Sequence, residues 1–196
     1  MVAGYHLIWT AYGCWLPNDP RGSSSRELRE DKLTPLGELH HGRKKQPPPS
    51  DVIRSFYHEA DDLLEHPRLL LTDEDIVLVA ASFQQTIEDR RYTCYGCAIM
   101  PDHVHLLIRR HRDKAEVMCE KLQTNSRDAL IAAGRRAITH PVWAGPGWKV
   151  FLNNRQEMEG RAKYIRDNPV KAGRLVQQWS FVKEYDGWLP TRFWEK

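Results

Sequence analysis

The segment from Tyr92 to Arg109 constrains the fold of this chain most tightly. Tyr92 to Met100 is rich in aromatic and small apolar residues and reads as a strand. Pro101-Asp102 reads as a tight turn, and His103 to Arg109 as a second strand, so the two form an antiparallel hairpin. Along the second strand the side chains alternate between faces. Val104, Leu106 and Ile108 point one way, into a core. His103 and His105 point the other way, about 6.6 Å apart along the strand. A sheet with one apolar face and one face carrying paired imidazoles is therefore expected, and two such imidazoles form a natural chelate for a divalent ion.

The remaining pattern supplies helices for that sheet. Gly4 to Gly13 reads as an opening strand. Ser50-Asp51 is read as the cap of a helix that ends before Pro67. Thr72 and Asp75 cap another, which carries Ile76, Val79, Ala80 and Phe83 at helical spacing and reaches about Arg90. Lys114 to Ala133 is a helix with Gly134 near its end. Trp148 to Leu152 is a short strand, and Asn153 or Asn154 caps a last helix that should stop near Asn168, because Pro169 follows. The expected fold class is α+β, a central antiparallel sheet with packed helices, in one domain spanning 1–196. Pro17 to Ser25 is turn chemistry, and Gly42 to Ser50 is basic and then Pro-rich. Residues 17–50 are therefore expected to form a surface excursion. The tail from Trp179 to Lys196 holds three of the seven tryptophans and should pack on the body.

Composition narrows the class. A chain of 196 residues buries enough surface to fold without disulfides or a structural metal. Cys94 and Cys97 have the spacing of a metal or redox pair, but on a strand residues three apart face opposite sides. They are read, with Cys14 and Cys119, as small buried apolar residues. No apolar run reaches membrane-spanning length, and the N-terminus lacks a signal-peptide pattern, so a cytoplasmic, nucleoid-associated protein is expected. The net charge of +3 conceals an asymmetry: residues 105–175 hold 15 Lys and Arg against 7 Asp and Glu, while the remainder is acidic. A block that basic points to a polyanionic partner.

A second set of chemical side chains lies on the last helix. Glu157, Arg161, Tyr164 and Asn168 fall within about 60° of one another, beside an apolar stripe of Met158, Ala162 and Ile165. Burying that stripe on the sheet would tilt Tyr164 and Asn168 toward the histidines. Three other enzyme classes that use His-x-His fit poorly. A histidine-triad hydrolase needs a third histidine where Leu107 stands. An amidohydrolase barrel needs a longer chain. Two-histidine phosphoesterases need Ser or Thr where His105 stands.

Residues 97–108 (CAIMPDHVHLLI) and 164–173 (YIRDNPVKAG) resemble the two signatures of the single-tyrosine HUH transposases, especially those associated with REP sequences. Residues 143–152 (WAGPGWKVFL) and the opening strand with its Asp19-Pro20-Arg21-Gly22 also resemble that family, whereas residues 23–72 and the tail are matched poorly. The resemblance implies an RRM-like or ferredoxin-like sheet with the nucleophilic helix packed across it. It also implies metal-dependent cleavage and rejoining of single-stranded or hairpin DNA through a 5′-phosphotyrosine intermediate, with Mg²⁺ or Mn²⁺ as cofactor. By motif match, Tyr164 becomes the nucleophile, and His103, His105 and Asn168 the metal ligands. Asn168 has a competing reading as a helix end before Pro169. Arg109, Arg110, Arg112, Arg161 and Lys171 are expected to hold DNA phosphates. Two alternatives stay open at this point: a transposase-derived nucleic-acid-binding module without cleavage, and a phosphoester hydrolase in which Tyr164 is structural. The sequence leaves monomer and dimer undecided.

Overall fold

The computed structural model describes residues 1–23, 25, 31–42, 46 and 48–191. Four strands, β1 (Gly4–Ala11), β2 (Cys94–Ile99), β3 (His103–Arg109) and β4 (Trp143–Leu152), form one antiparallel sheet in the order β2-β3-β1-β4. The helices are α1 (Ser50–Leu63), α2 (Asp73–Arg90), α3 (Ala115–Ala132) and α4 (Arg155–Lys171), with a short 3-10 helix at Asp31–Leu36. Taking β1, α2, β2, β3, α3 and β4 in turn gives the ferredoxin-like arrangement expected from the sequence. Among the described residues no helix is long and apolar enough to cross a membrane.

The two faces of the sheet are covered differently. Leu7, Trp9 and Ala11 of β1 and Val104, Leu106 and Ile108 of β3 pack with Val79 and Phe83 of α2 and Met118 and Leu122 of α3. On the opposite face Ala98, Leu107 and Leu152 pack with Met158 and Ile165 of α4, so α4 lies across the face that carries the histidines. The cap of α2 is the expected capping box, in which Thr72 accepts from the Asp75 backbone and Asp75 accepts from that of Thr72. Asp75 is fully buried and is also held by Arg135 and Arg136, each at 2.7 Å. Beyond α4 the chain runs back along the free edge of β2. The Gln177 amide exchanges two hydrogen bonds with the Ile99 backbone, and Lys183 donates to the Cys94 carbonyl, so that edge is not left open. Trp179 packs against the main core, as expected of the tail, while Trp194 lies outside the described residues.

Several elements differ from the sequence reading, each for a physical reason. β4 begins at Trp143, not Trp148, because a bulge opposite Ile8 and Thr10 absorbs Gly145-Pro146-Gly147 without ending the strand. Gly147 is required there: its φ is +71°, and a Cβ would stand 2.6 Å from the Ile8 carbonyl oxygen. α4 continues past Asn168 to Lys171 with Pro169 in its last turn, where only one intrahelical donor is absent. The helix ends instead at Gly173, whose φ is +72°, with Arg174 donating to the Pro169 carbonyl and Gly173 to that of Val170. Asn168 is thus an interior helical residue and not the cap. Ser50 does not cap α1 either; the N-cap position is Pro49 and makes no side-chain bond.

Cys94 and Cys97 do not face opposite sides, because a second bulge between Cys94 and Gly96 returns both to the main core. They remain buried free thiols, and burial pushes the Cys94 pKa up to about 12. The described part of the 17–50 excursion is tied down rather than free. Asn18 and Asp19 are fully buried, and Leu33 packs with Leu16, Phe56 and Tyr57 in a separate small core. Most of the basic stretch after Gly42 lies outside the described residues.

Candidate active site

The site is built where β1, β3 and α4 meet. In β3, His103 and His105 share the α4 face, opposite Thr10 and Ile8 of β1. Their rings lie 4.9 Å apart, centroid to centroid. α4 delivers Tyr164 beside them, its ring 5.6 Å from that of His105 and nearly perpendicular to it. Two cations flank the phenol: the Arg161 guanidinium is 5.4 Å from the ring centroid and the Lys171 ammonium 5.5 Å. Asn168 is half-buried one turn beyond Tyr164 on the same helix.

Each of the paired imidazoles is held through its Nδ1. His103 Nδ1 lies 2.6 Å from Asp102 Oδ1. Burial alone would raise the Asp102 pKa, but the His103 hydrogen bond and charge hold it below the usual carboxylate value, so His103 donates and Asp102 accepts. Asp102 is steadied in turn by Trp15, whose indole donates to Oδ2 at 3.3 Å. Trp15 sits at a φ of 56°, rare for a bulky residue. Its backbone donates to the Tyr57 hydroxyl, and the Arg21 guanidinium stacks 3.9 Å above its ring. Arg21 and Tyr57 both bind the buried Asp19 carboxylate. The Asp19-Pro20-Arg21 turn is therefore linked by contacts to the base of His103.

The other imidazole, His105, lies 2.9 Å through its Nδ1 from Nε2 of His6. The sequence reading missed His6. It is fully buried in β1, and its own Nδ1 has no hydrogen-bond partner among the described residues. A signal was available: in Tyr5-His6-Leu7-Ile8-Trp9 it is the one imidazole in a largely apolar strand, on the face opposite Leu7 and Trp9. Burial lowers the His6 pKa to about 3, and the nearby Arg161 charge adds to the effect. Burial likewise lowers His105 to about 2, assisted by His103, His6 and Arg161. Both rings are neutral at ordinary pH.

The fold therefore gathers His103, His105, Tyr164, Arg161 and Lys171 from the sequence-predicted set, with Asn168 one turn away. It does not gather Arg109, Arg110 and Arg112. Arg109 ends β3, about 20 Å from His103 by strand rise, and Arg110 and Arg112 follow it. The Arg109 guanidinium stacks 3.5 Å above the Trp188 ring, and Arg110 and Arg112 are exposed. Among the described residues no group of three or more His, Cys, Asp or Glu side chains is arranged to hold a metal ion.

No protein-family profile and no curated protein matches this chain. Among solved structures, a REP-associated tyrosine transposase bound to a REP hairpin is similar to it, with 12% identity and a TM-score of 0.48 over 88% of this chain and 70% of that one. A provisionally named transposase from Deinococcus radiodurans R1 is similar with 14% identity and a TM-score of 0.40, over 86% and 91% of the two chains. Likenesses this distant assign no activity, and the functional reading rests on the site itself.

Proposed function

We propose that this chain is a single-tyrosine HUH transposase, which cuts and rejoins single-stranded DNA with Tyr164 as nucleophile and Mg²⁺ or Mn²⁺ as cofactor. The observation that carries the reading is the convergence of a phenol, 5.6 Å ring to ring, on an imidazole whose neighbour shares its sheet face. The donor set suits a divalent cation. With their Nδ1 atoms engaged by Asp102 and His6, His103 and His105 have Nε2 left to coordinate, and second-shell partners of this kind set tautomer and ring orientation. The Asn168 carbonyl is the proposed third ligand, an oxygen donor suited to Mg²⁺ and Mn²⁺. When bound, such an ion withdraws charge from phosphate oxygens and orients the phosphorus for attack.

The rest is the work of the chain. The Tyr164 oxygen attacks phosphorus, the bond from phosphorus to the 3′-oxygen of the preceding nucleotide breaks, and the 5′-phosphate remains on the tyrosine. The phenol loses its proton and the departing 3′-oxygen gains one, so the step is proton-neutral overall. Arg161 and Lys171 stand beside the ring, where their charges would meet the phosphate under attack. The phosphotyrosine keeps the bond energy of the phosphodiester, so a DNA 3′-hydroxyl can reverse the attack and join strands. The test is incubation with a pool of single-stranded hairpin oligonucleotides and Mn²⁺, followed by denaturing electrophoresis. A covalent protein–DNA adduct is expected. DNA binding without an adduct would instead favour the non-cleaving binding module.

A further inference from the structure

We infer that His6 is a positioning residue for His105, the hydrogen-bond acceptor that keeps the His105 proton on Nδ1 and its Nε2 lone pair facing the site. The inference rests on the metal reading above and extends it to a residue in a different strand. Its basis is the 2.9 Å contact between His6 Nε2 and His105 Nδ1, in which one nitrogen must donate and the other accept. Two arrangements are possible. If His6 donates, both rings carry their protons on Nε2, and His105 presents an N–H to the site, where it cannot ligate. If His105 donates, both rings carry their protons on Nδ1 and the His105 Nε2 lone pair is free. The two arrangements hold the same number of protons and differ only in where they sit.

The surroundings leave His6 little freedom to do anything else. Its side chain is fully buried, and its Nδ1 has no partner among the described residues, so it cannot itself reach a ligand or solvent. In the ligating arrangement that Nδ1 carries a buried, unpaired N–H, which is costly. A histidine held this way on an otherwise apolar strand, where leucine would pack without an orphan, is explained by the service it performs for His105. His103 is served differently, by the Asp102 carboxylate at 2.6 Å. The two paired imidazoles are therefore oriented by separate partners on separate elements.

The experiment uses the full chain and two variants, His6→Leu and His6→Gln. The Leu variant removes the acceptor, and the Gln variant can restore one through its side-chain carbonyl. Long-range proton–nitrogen NMR correlations read the His105 tautomer in metal-free and Mg²⁺-loaded protein, and paramagnetic titration reads the Mn²⁺ dissociation constant. In the parent the proton is expected on Nδ1, metal-free and Mg²⁺-loaded alike. In metal-free His6→Leu it should move to Nε2, with Mn²⁺ affinity reduced roughly 10- to 100-fold. His6→Gln should recover part of that loss. A purely structural role for His6 predicts changes in thermal stability with Mn²⁺ affinity unmoved. Parental Mn²⁺ affinity in His6→Leu, or a proton on Nε2 of His105 in the metal-free parent, would overturn the role of His6. A parent that binds no Mn²⁺ would overturn the metal reading instead, and the two failures are thus distinct.

Discussion

Acidification from pH 7 to pH 5 should weaken this fold through two residues in particular. His6 and His105 have their pKa values lowered by burial from 6.5 to about 3 and about 2. In the unfolded chain both titrate near 6.5. The sign follows directly: between the folded and unfolded values the unfolded state binds protons that the folded state refuses. Stability is therefore fully present above about pH 6.5 and declines progressively as pH falls below it. At pH 5 each imidazole contributes a loss of about 2 kcal/mol, so the pair removes about 4 kcal/mol. This magnitude is insensitive to the folded values so long as both lie well below 5. It is a large part of the roughly 5–15 kcal/mol that holds a domain together. Carboxylates held low, such as Asp75 and Asp102, enter only at lower pH, so the window isolates the histidines. His111, also lowered by burial, adds in the same direction and is common to every variant. Urea denaturation at pH 7 and pH 5 in the presence of chelator measures the effect. His6→Leu should remove about half of the pH dependence. Equal unfolding free energies at the two pH values would refute the reasoning.

Other consequences are open to direct measurement. Asp75→Ala removes a fully buried carboxylate that caps α2 and pairs with Arg135 and Arg136, and should cost about 3–5 kcal/mol by chemical denaturation. Gly147→Ala, at a φ of +71° and against the Ile8 carbonyl, should lower stability by roughly 1–3 kcal/mol, seen as a fall in Tm. Arg161→Gln and Lys171→Gln should each slow adduct formation at saturating DNA. Each should also flatten the salt dependence of single-strand binding, by about 0.7 in log–log slope for every phosphate that the variant leaves unneutralised. Combined replacement of Arg110 and Arg112 by Gln should leave the adduct rate at saturating DNA unchanged, because they follow the far end of β3.

What was legible in the sequence was what depends on local period. The His103–His105 strand, its hairpin and the face of α4 bearing Tyr164 follow from periods of 2 and 3.6, and the capping box at Thr72 from its own spacing. What was not legible depends on pairing. The bulge that carries β4 through Gly-Pro-Gly exists only because Ile8 and Thr10 lie opposite, and read alone those three residues signal a turn. The bulge at Gly96 defeats the alternation argument for Cys94 and Cys97 in the same way. Pro169 stops a helix in the general case, yet here it sits in a last turn closed by Gly173. His6 meets His105 across a separation of 99 residues, and no spacing rule connects them. The Asp19–Arg21–Trp15–Asp102 linkage is likewise invisible until the chain is folded, although the turn residues that build it stand out in the sequence.

The central claim is that Tyr164 forms a covalent bond to DNA. Peptide mass mapping of the adduct formed on hairpin oligonucleotides with Mn²⁺ tests it most directly, with Tyr164→Phe run in parallel. The account predicts a nucleotide mass on the peptide containing Tyr164, and no adduct from the Phe variant, whose DNA binding should be nearly unchanged because only a hydroxyl is removed. An adduct mapped to another residue, or one formed at the parental level by Tyr164→Phe, would contradict it.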